Sequence, residues 1–148
     1  MNLLLFFLAV IGMEIIAWLT HKFIMHGILW KWHKDHHVIN PDNKLQKNDY
    51  FFLIFASPGM LCLFSGVLGN RPDLTAVGLG ITFYGLIYFI VHDVYIHRRI
   101  KWFRKINLKY LNAVTRCHKL HHKNINQQES EYFGLLSVSY THLTLPTN

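Results

Sequence analysis

Charge is scarce in this sequence. Only 16% of its 148 residues are Asp, Glu, Lys or Arg, while 51% are hydrophobic and 15% aromatic. A disordered chain needs the opposite balance and is excluded. Cysteine is scarcer still. Cys62 and Cys117 are too few for a disulfide framework. Acids are short as well, 8 against 15 Lys and Arg, giving a formal net charge of +7. The length allows one domain rather than two. Low-complexity segments and linkers are missing. What the chain does have is long apolar runs, and an excess of histidine, 11 residues in all.

Leu3–Leu19 is apolar apart from Gly12 and Glu14. As a helix it covers roughly 25 Å, near the short limit for crossing a bilayer. It has no basic leader and no small-x-small cleavage site, so it reads as a retained span rather than a signal peptide. Tyr50–Gly69 and Leu74–Val91 are two further runs without a Lys, Arg, Asp or Glu. Asn70-Arg71-Pro72-Asp73 between them reads as the turn of a helical hairpin, and Pro58-Gly59 is expected to kink the second run. Three spans place residues 20–49 and everything after 92 on one side. That side holds fourteen basic residues, and the other holds Arg71 alone. The positive-inside rule makes the first side cytoplasmic, and the net charge is then accounted for without nucleic acid. Trp102, Ile106, Tyr110, Val114 and Cys117 recur at helical spacing among basic residues. Lys101–His122 is therefore expected to be an amphipathic helix on the cytoplasmic leaflet. The fold class is all-α: about three membrane spans, a juxtamembrane helix and a cytoplasmic histidine-rich dimetal site.

Ten of the eleven histidines fall into four groups. His21 and His26 form HxxxxH, and His33, His36 and His37 form HxxHH. His92 and His97 repeat the first pattern, and His118, His121 and His122 repeat the second. Positions i, i+3 and i+4 fall within roughly 100° on a helix, so each HxxHH aims three imidazoles at one place. Positions i and i+5 lie about 140° apart on a regular helix. Each HxxxxH therefore either ends in an irregular turn or sends its rings to different metals. Imidazole suits Fe, Zn, Cu and Ni. Ten rings exceed one ion's capacity and fit two. The ligand set alone does not choose the metal. A site at the membrane boundary does favour a lipid substrate, and activating an unreactive C–H bond calls for O₂ and a redox metal.

Flanking residues carry a resemblance. Gly12-Met13-Glu14-Ile15-Ile16-Ala17-Trp18-Leu19-Thr20-His21-Lys22-Phe23-Ile24-Met25-His26-Gly27, Trp32-His33-Lys34-Asp35-His36-His37, Tyr84-Gly85-Leu86-Ile87-Tyr88-Phe89-Ile90-Val91-His92-Asp93, His118-Lys119-Leu120-His121-His122 and Phe133-Gly134-Leu135-Leu136 resemble the bacterial β-carotene 3-hydroxylases. These belong to the wider fatty acid hydroxylase and sterol desaturase superfamily of membrane di-iron enzymes. The resemblance implies two non-haem irons, O₂ as co-substrate and a ferredoxin-type electron donor. It implies hydroxylation at carbon 3 of the β-ionone rings, from β-carotene through β-cryptoxanthin to zeaxanthin, at the bacterial inner membrane. It also implies the ten histidines as metal ligands and no further catalytic side chain. Val94-Tyr95-Ile96 departs from the Gly-Leu-Val run that many members carry between His92 and His97, which puts pocket shape and regiochemistry in question.

Residues 1–136 are expected to form the single hydroxylase domain. The string Val138–Asn148 resembles a translated sequencing adapter, so 137–148 are expected to be a non-native tail on a naturally longer chain. Glu14 within a span, and Asp35 and Asp93 beside ligands, are candidates to orient histidine rings or relay protons. Glu129 and Glu131 are weaker ones. Phe83, Tyr84, Tyr88 and Phe89 either line a channel for a polyene or pack between helices. Besides a catalytically dead scaffold, expected if the natural tail is lost, two rival functions stay open. One is another lipid hydroxylase, ketolase or desaturase of the same superfamily. The other is a metal transporter or sensor, against which no histidine lies within a predicted span.

Overall fold

In a computed structural model, the chain is described over residues 2–38, 45–100, 106–123 and 132–137. Among these residues there are helices and no strands. The elements are α1 (Leu3–Leu19), α2 (Trp30–His37), α3 (Tyr50–Leu68), α4 (Pro72–Tyr88) and α5 (Lys109–Lys123), with a short 3₁₀ turn at Lys47–Asp49. Both α1 and α4 run on without a break into π-helical segments, Thr20–Ile28 and Phe89–Ile96.

Three helical segments, Leu3–Ile28, which kinks at Gly27, Lys47–Leu68 and Pro72–Ile96, are long and apolar enough to cross a membrane. Leu4, Phe7, Ile11, Leu61 and Phe64 are among the many large apolar side chains that point outward. Such a surface suits lipid and not water. The predicted spans ended where polar histidines began, but the helices themselves continue past those points. As a result His21, His26 and His92 lie in the last turns of long helices, a placement that apolar content alone did not give.

α4 is the centre of the bundle and packs on α3 along one side and α1 along another. Glycine makes both contacts possible. A Cβ on Gly78 would stand 2.7 Å from the Leu63 nitrogen and 2.9 Å from the Gly59 oxygen. One on Gly80 would stand 2.6 Å from the Phe6 oxygen. Membrane helices associate through such small-residue contacts, because lipid supplies no hydrophobic drive between them. α3 runs through Pro58, which has no N–H to offer the Ile54 carbonyl. The Ser57 hydroxyl donates to that carbonyl at 3.2 Å, and to Leu53 at 2.9 Å, so the helix is not interrupted.

The hairpin turn closes as a Schellman motif. Asn70 takes a left-handed φ of 50°, and Arg71 N–H bonds back to the Gly66 carbonyl at 2.8 Å. Pro72 then opens α4 at a position where a missing N–H costs nothing. α5 begins at Lys109 and not at Lys101. Trp102 lies outside the described residues, while Ile106 and Tyr110 are exposed. Its buried face is Ala113, Val114, Cys117, His118 and His121, turned into the protein. Val91, Val114 and Leu135 form a small core there, joining α4's extension, α5 and the segment 132–137.

The glycine contacts generate a paired expectation. Gly78→Ala overpacks the α3–α4 contact and should cost about 1–3 kcal/mol. Gly85→Ala, where an added Cβ meets nothing within 4 Å, should be neutral or stabilising by up to about 1 kcal/mol. Thermal unfolding of the detergent-solubilised variants compares the two.

Candidate metal centre

Four chain segments meet at one end of the bundle, and each delivers histidines. The π-helical extension of α1 brings His21 and His26, and that of α4 brings His92 and His97. A π-helix closes its hydrogen bonds at i+5, so residues five apart lie closer to one face than they do on an α-helix. The His97 N–H reaches the His92 carbonyl at 2.9 Å in this pattern. The rings of His21 and His26 are 5.1 Å apart, and those of His92 and His97 are 4.6 Å apart. Of the two outcomes left open for HxxxxH, the structure takes the irregular helical turn. α2 and α5 bring the two HxxHH sets.

The rings sort into two groups. His21, His26, His33, His37 and His121 each present one nitrogen within 4.8 Å of the others, as do His36, His97, His118 and His122. His92 sits against the second group, its ring 4.7 Å from His36 and 4.8 Å from His118. α2 is shared, sending His33 and His37 to the first group and His36 to the second. All ten sequence-predicted residues are therefore brought together. His142 lies outside the described residues. Neither cysteine joins a group; Cys117 is buried beside His118 in α5, and Cys62 is half-buried in α3.

Nitrogen bookkeeping shows what the groups can hold. His21 Nδ1 donates to the Phe133 carbonyl at 2.9 Å, and His33 Nδ1 donates to Asn48 Oδ1 at 2.6 Å. A neutral imidazole has one N–H, so both Nε2 atoms are bare. They face each other at 3.0 Å. Two lone pairs at that distance repel unless a cation lies between them. His26 Nε2 and His121 Nε2 are also 3.0 Å apart, and His97 Nε2 and His118 Nε2 are 2.8 Å apart. In the second group, His36 Nε2 and His122 Nε2 are buried without a hydrogen-bond partner. Protons are poor candidates for the cation. Burial first, and neighbouring imidazoles second, hold His122 down to about 4 and His97 to about 2. Burial likewise outweighs the Asn48 hydrogen bond and holds His33 to about 3. His36, His37 and His118 are lowered for the same reasons. Converging imidazoles, with the second nitrogens of His21 and His33 bonded to oxygens, are a donor set that suits a first-row transition metal.

The three candidate carboxylates have separate positions. Asp93 reaches the His92 ring, Oδ2 to Nδ1 at 3.3 Å, and accepts from Arg99 at 3.0 Å. Arg99 also grips both oxygens of Asp49, at 2.7 and 2.8 Å, tying the start of α3 to the end of α4's extension. Asp35 touches no ring; it accepts the backbone N–H groups of Lys47 and Asn48 at 2.6 and 3.4 Å. Glu14 is a latch. It accepts from the Tyr84 hydroxyl at 2.7 Å, from the N–H groups of Leu136 and Ser137 at 2.9 and 3.0 Å, and from the Ser137 hydroxyl at 3.1 Å. A carboxylate inside a span is costly unless it is bonded, and here both oxygens are bonded. The latch holds segment 132–137 under the site, with Tyr110 also donating to the Leu136 carbonyl. Gly134 is needed there, since a Cβ would come within 2.9 Å of Glu14 Oε1. The Phe133 carbonyl thereby meets His21, and its ring packs edge-on against His21, His26 and His121. Ser137 belongs to the stretch expected to be non-native. Residues 138–148, Glu129 and Glu131 lie outside the described residues.

Below the histidines, between α1, α3 and α4, is an apolar cavity of about 450 Å³. Met13, Phe51, Phe55, Tyr84, Tyr88 and Phe89 are among its walls, and His21 and His92 form part of its lining, one from each side of the centre. Tyr84, Tyr88 and Phe89 thus line a cavity, while Phe83 instead packs on Phe6 at 5.5 Å. Sequence patterns did not single out Gln46 or Asn48, whose one signal was a polar stretch leading directly into a span; Arg99 figured only in the count of basic residues after the third span.

The fatty acid hydroxylase family profile matches residues 6–141. The beta-carotene hydroxylase of Pantoea ananas is 42% identical over 137 residues, covering 91% of this chain and 76% of that protein. That of a Paracoccus species is 39% identical over 138 residues, covering 91% and 83%. The chloroplastic beta-carotene 3-hydroxylase 2 of Arabidopsis thaliana is 37% identical over 117 residues, covering 77% and 38%. No solved structure shows a significant match.

The latch is open to test by hydrogen exchange. Glu14→Ala should expose the Leu136 and Ser137 amides to exchange and weaken metal retention about tenfold, the lower end of the effect of losing an outer-shell partner. Glu14→Gln, which keeps an acceptor oxygen for those amides, should protect them substantially.

Proposed function

We propose that this chain, which belongs to the fatty acid hydroxylase family, is a membrane di-iron oxygenase that hydroxylates carbon 3 of the β-ionone rings of β-carotene. The products are β-cryptoxanthin and then zeaxanthin. One observation carries the reading: two clusters of buried and half-buried imidazoles stand beside an apolar cavity between long apolar helices. The names of the relatives choose the carotenoid among lipids.

The ligand set we assign is His21, His26, His33, His37 and His121 for one iron, and His36, His92, His97, His118 and His122 for the other. When bound, the iron pair supplies the activation of O₂. The overall balance is one C–H bond and one O₂ consumed with two electrons and two protons, giving one C–OH and one water; a ferredoxin-type donor supplies the electrons. The protein's own residues bind, orient and exclude. Phe133 and Asn48 keep the proton on Nδ1 of His21 and His33, so each Nε2 lone pair faces inward. Asp93 does the same for His92. Aromatic walls take the apolar ring of the substrate and keep water from it. His21 and His92 both belong to the histidine cluster and line the cavity, so a ring entering from the bilayer meets the centre from below. No side chain need act as a nucleophile. The excess of basic residues on the site's side supports a centre at the cytoplasmic face of a bacterial inner membrane.

Pigments from a β-carotene-producing bacterium test the reading. The intact chain should yield β-cryptoxanthin and zeaxanthin, and His121→Ala should yield neither. Unchanged β-carotene from an intact chain that retains two irons would redirect the proposal to another lipid substrate.

A further inference from the structure

The residues that sequence patterns passed over, 46–49, form a short turn that meets both histidine groups. Gln46 Oε1 lies 3.3 Å from His36 Nδ1, and Asn48 Oδ1 lies 2.6 Å from His33 Nδ1. The next residue, Asp49, binds Arg99, which binds Asp93, which meets His92. The turn is itself held from α2, because Asp35 takes the Lys47 and Asn48 N–H groups. Gln46 and Asp49 close a reciprocal box, in which the Gln46 N–H donates to Asp49 Oδ2 at 3.0 Å. α2 thus holds the turn, and the turn fixes one α2 ring in each group.

We propose that the turn Gln46–Asp49 is the positioning element of the dimetal centre, with Asn48 setting the ring of the first group and Gln46 the ring of the second. The inference rests on the dimetal reading above. Ligating histidines donate their second N–H to an outer oxygen, which fixes the tautomer and the ring plane. Here the two oxygens come from amides two residues apart. Their neutrality has a reason, because Asn48 also lines the apolar cavity. A carboxylate there would leave a further charge against hydrocarbon. The single site-facing charge on the turn, Asp49, is paired with Arg99.

The consequence is site selectivity. Removing one amide should weaken one metal and spare the other. Metal-free protein in detergent is titrated with Co²⁺ against a chelator and followed by the cobalt absorption bands. The unaltered chain should take two ions tightly. Asn48→Leu and Gln46→Leu should each leave one tight ion and weaken the second 10- to 100-fold. Asn48→Asp, which restores an acceptor, should return two tight ions. In a His26→Ala background, where the first group is already crippled, Gln46→Leu should still weaken the remaining ion and Asn48→Leu should not. Affinities within twofold of the unaltered chain in both Leu variants would overturn the inference while leaving the dimetal reading intact. So would a loss of both ions alike in either variant, including through unfolding. An unaltered chain that binds no cobalt would overturn both.

Discussion

Bare imidazole nitrogens do not tolerate one another's company without a cation. That constraint governs the rest of this molecule. His21 and His33 each have their one proton committed to an outer oxygen, and their remaining lone pairs meet at 3.0 Å in a buried site. Burial also keeps the nearby His33, His36 and His37 from taking up the protons that would relieve the repulsion. A metal ion in each group would satisfy the arrangement, and the surrounding protein holds the rings through outer oxygens. Phe133, Asn48, Gln46 and Asp93 fix rings on three segments, α2 and the extensions of α1 and α4, and each of them is fixed in turn.

The bundle beneath is built for delivery rather than for burial. Its long helices turn their apolar side chains outward to lipid and meet one another through glycine. Close glycine contacts seat α4 against α1 and α3, and beyond Tyr88 the π-helical segment brings the rings of His92 and His97 to 4.6 Å of one another. α1 does the same for His21 and His26. The Glu14 latch then draws segment 132–137 under the site, so the span supplies both ligands and the means of orienting them. The apolar cavity between α1, α3 and α4 borders this assembly, with His21 and His92 in its lining.

Much of this was legible in the residues. Three apolar runs and a repeated histidine pattern were sufficient for the all-α class, the spans and the ten clustered rings. The i, i+5 spacing carried more than it first yields. On a regular helix it looks like a disagreement, and it is the repeat of a π-helix. Span boundaries fell short because hydropathy stops at a histidine while a helix does not. The amphipathic helix starts at Lys109 rather than Lys101, and its apolar face turns to the protein because α5's histidines and small residues pack into the site. Glu14, Asp35 and Asp93 were visible as costly or well-placed acids, but not their separate partners, which lie as far as 123 positions away in the chain. Gln46 and Asn48 were invisible, because an amide in a polar loop has no periodicity and its use depends on tertiary placement.

The central claim is that two separate histidine groups each hold a metal ion. Elemental analysis of the purified, detergent-solubilised protein, expressed with ample iron, addresses it most directly. The account predicts two iron ions per chain. No bound metal, or a single ion per chain shared by all ten rings, would contradict it.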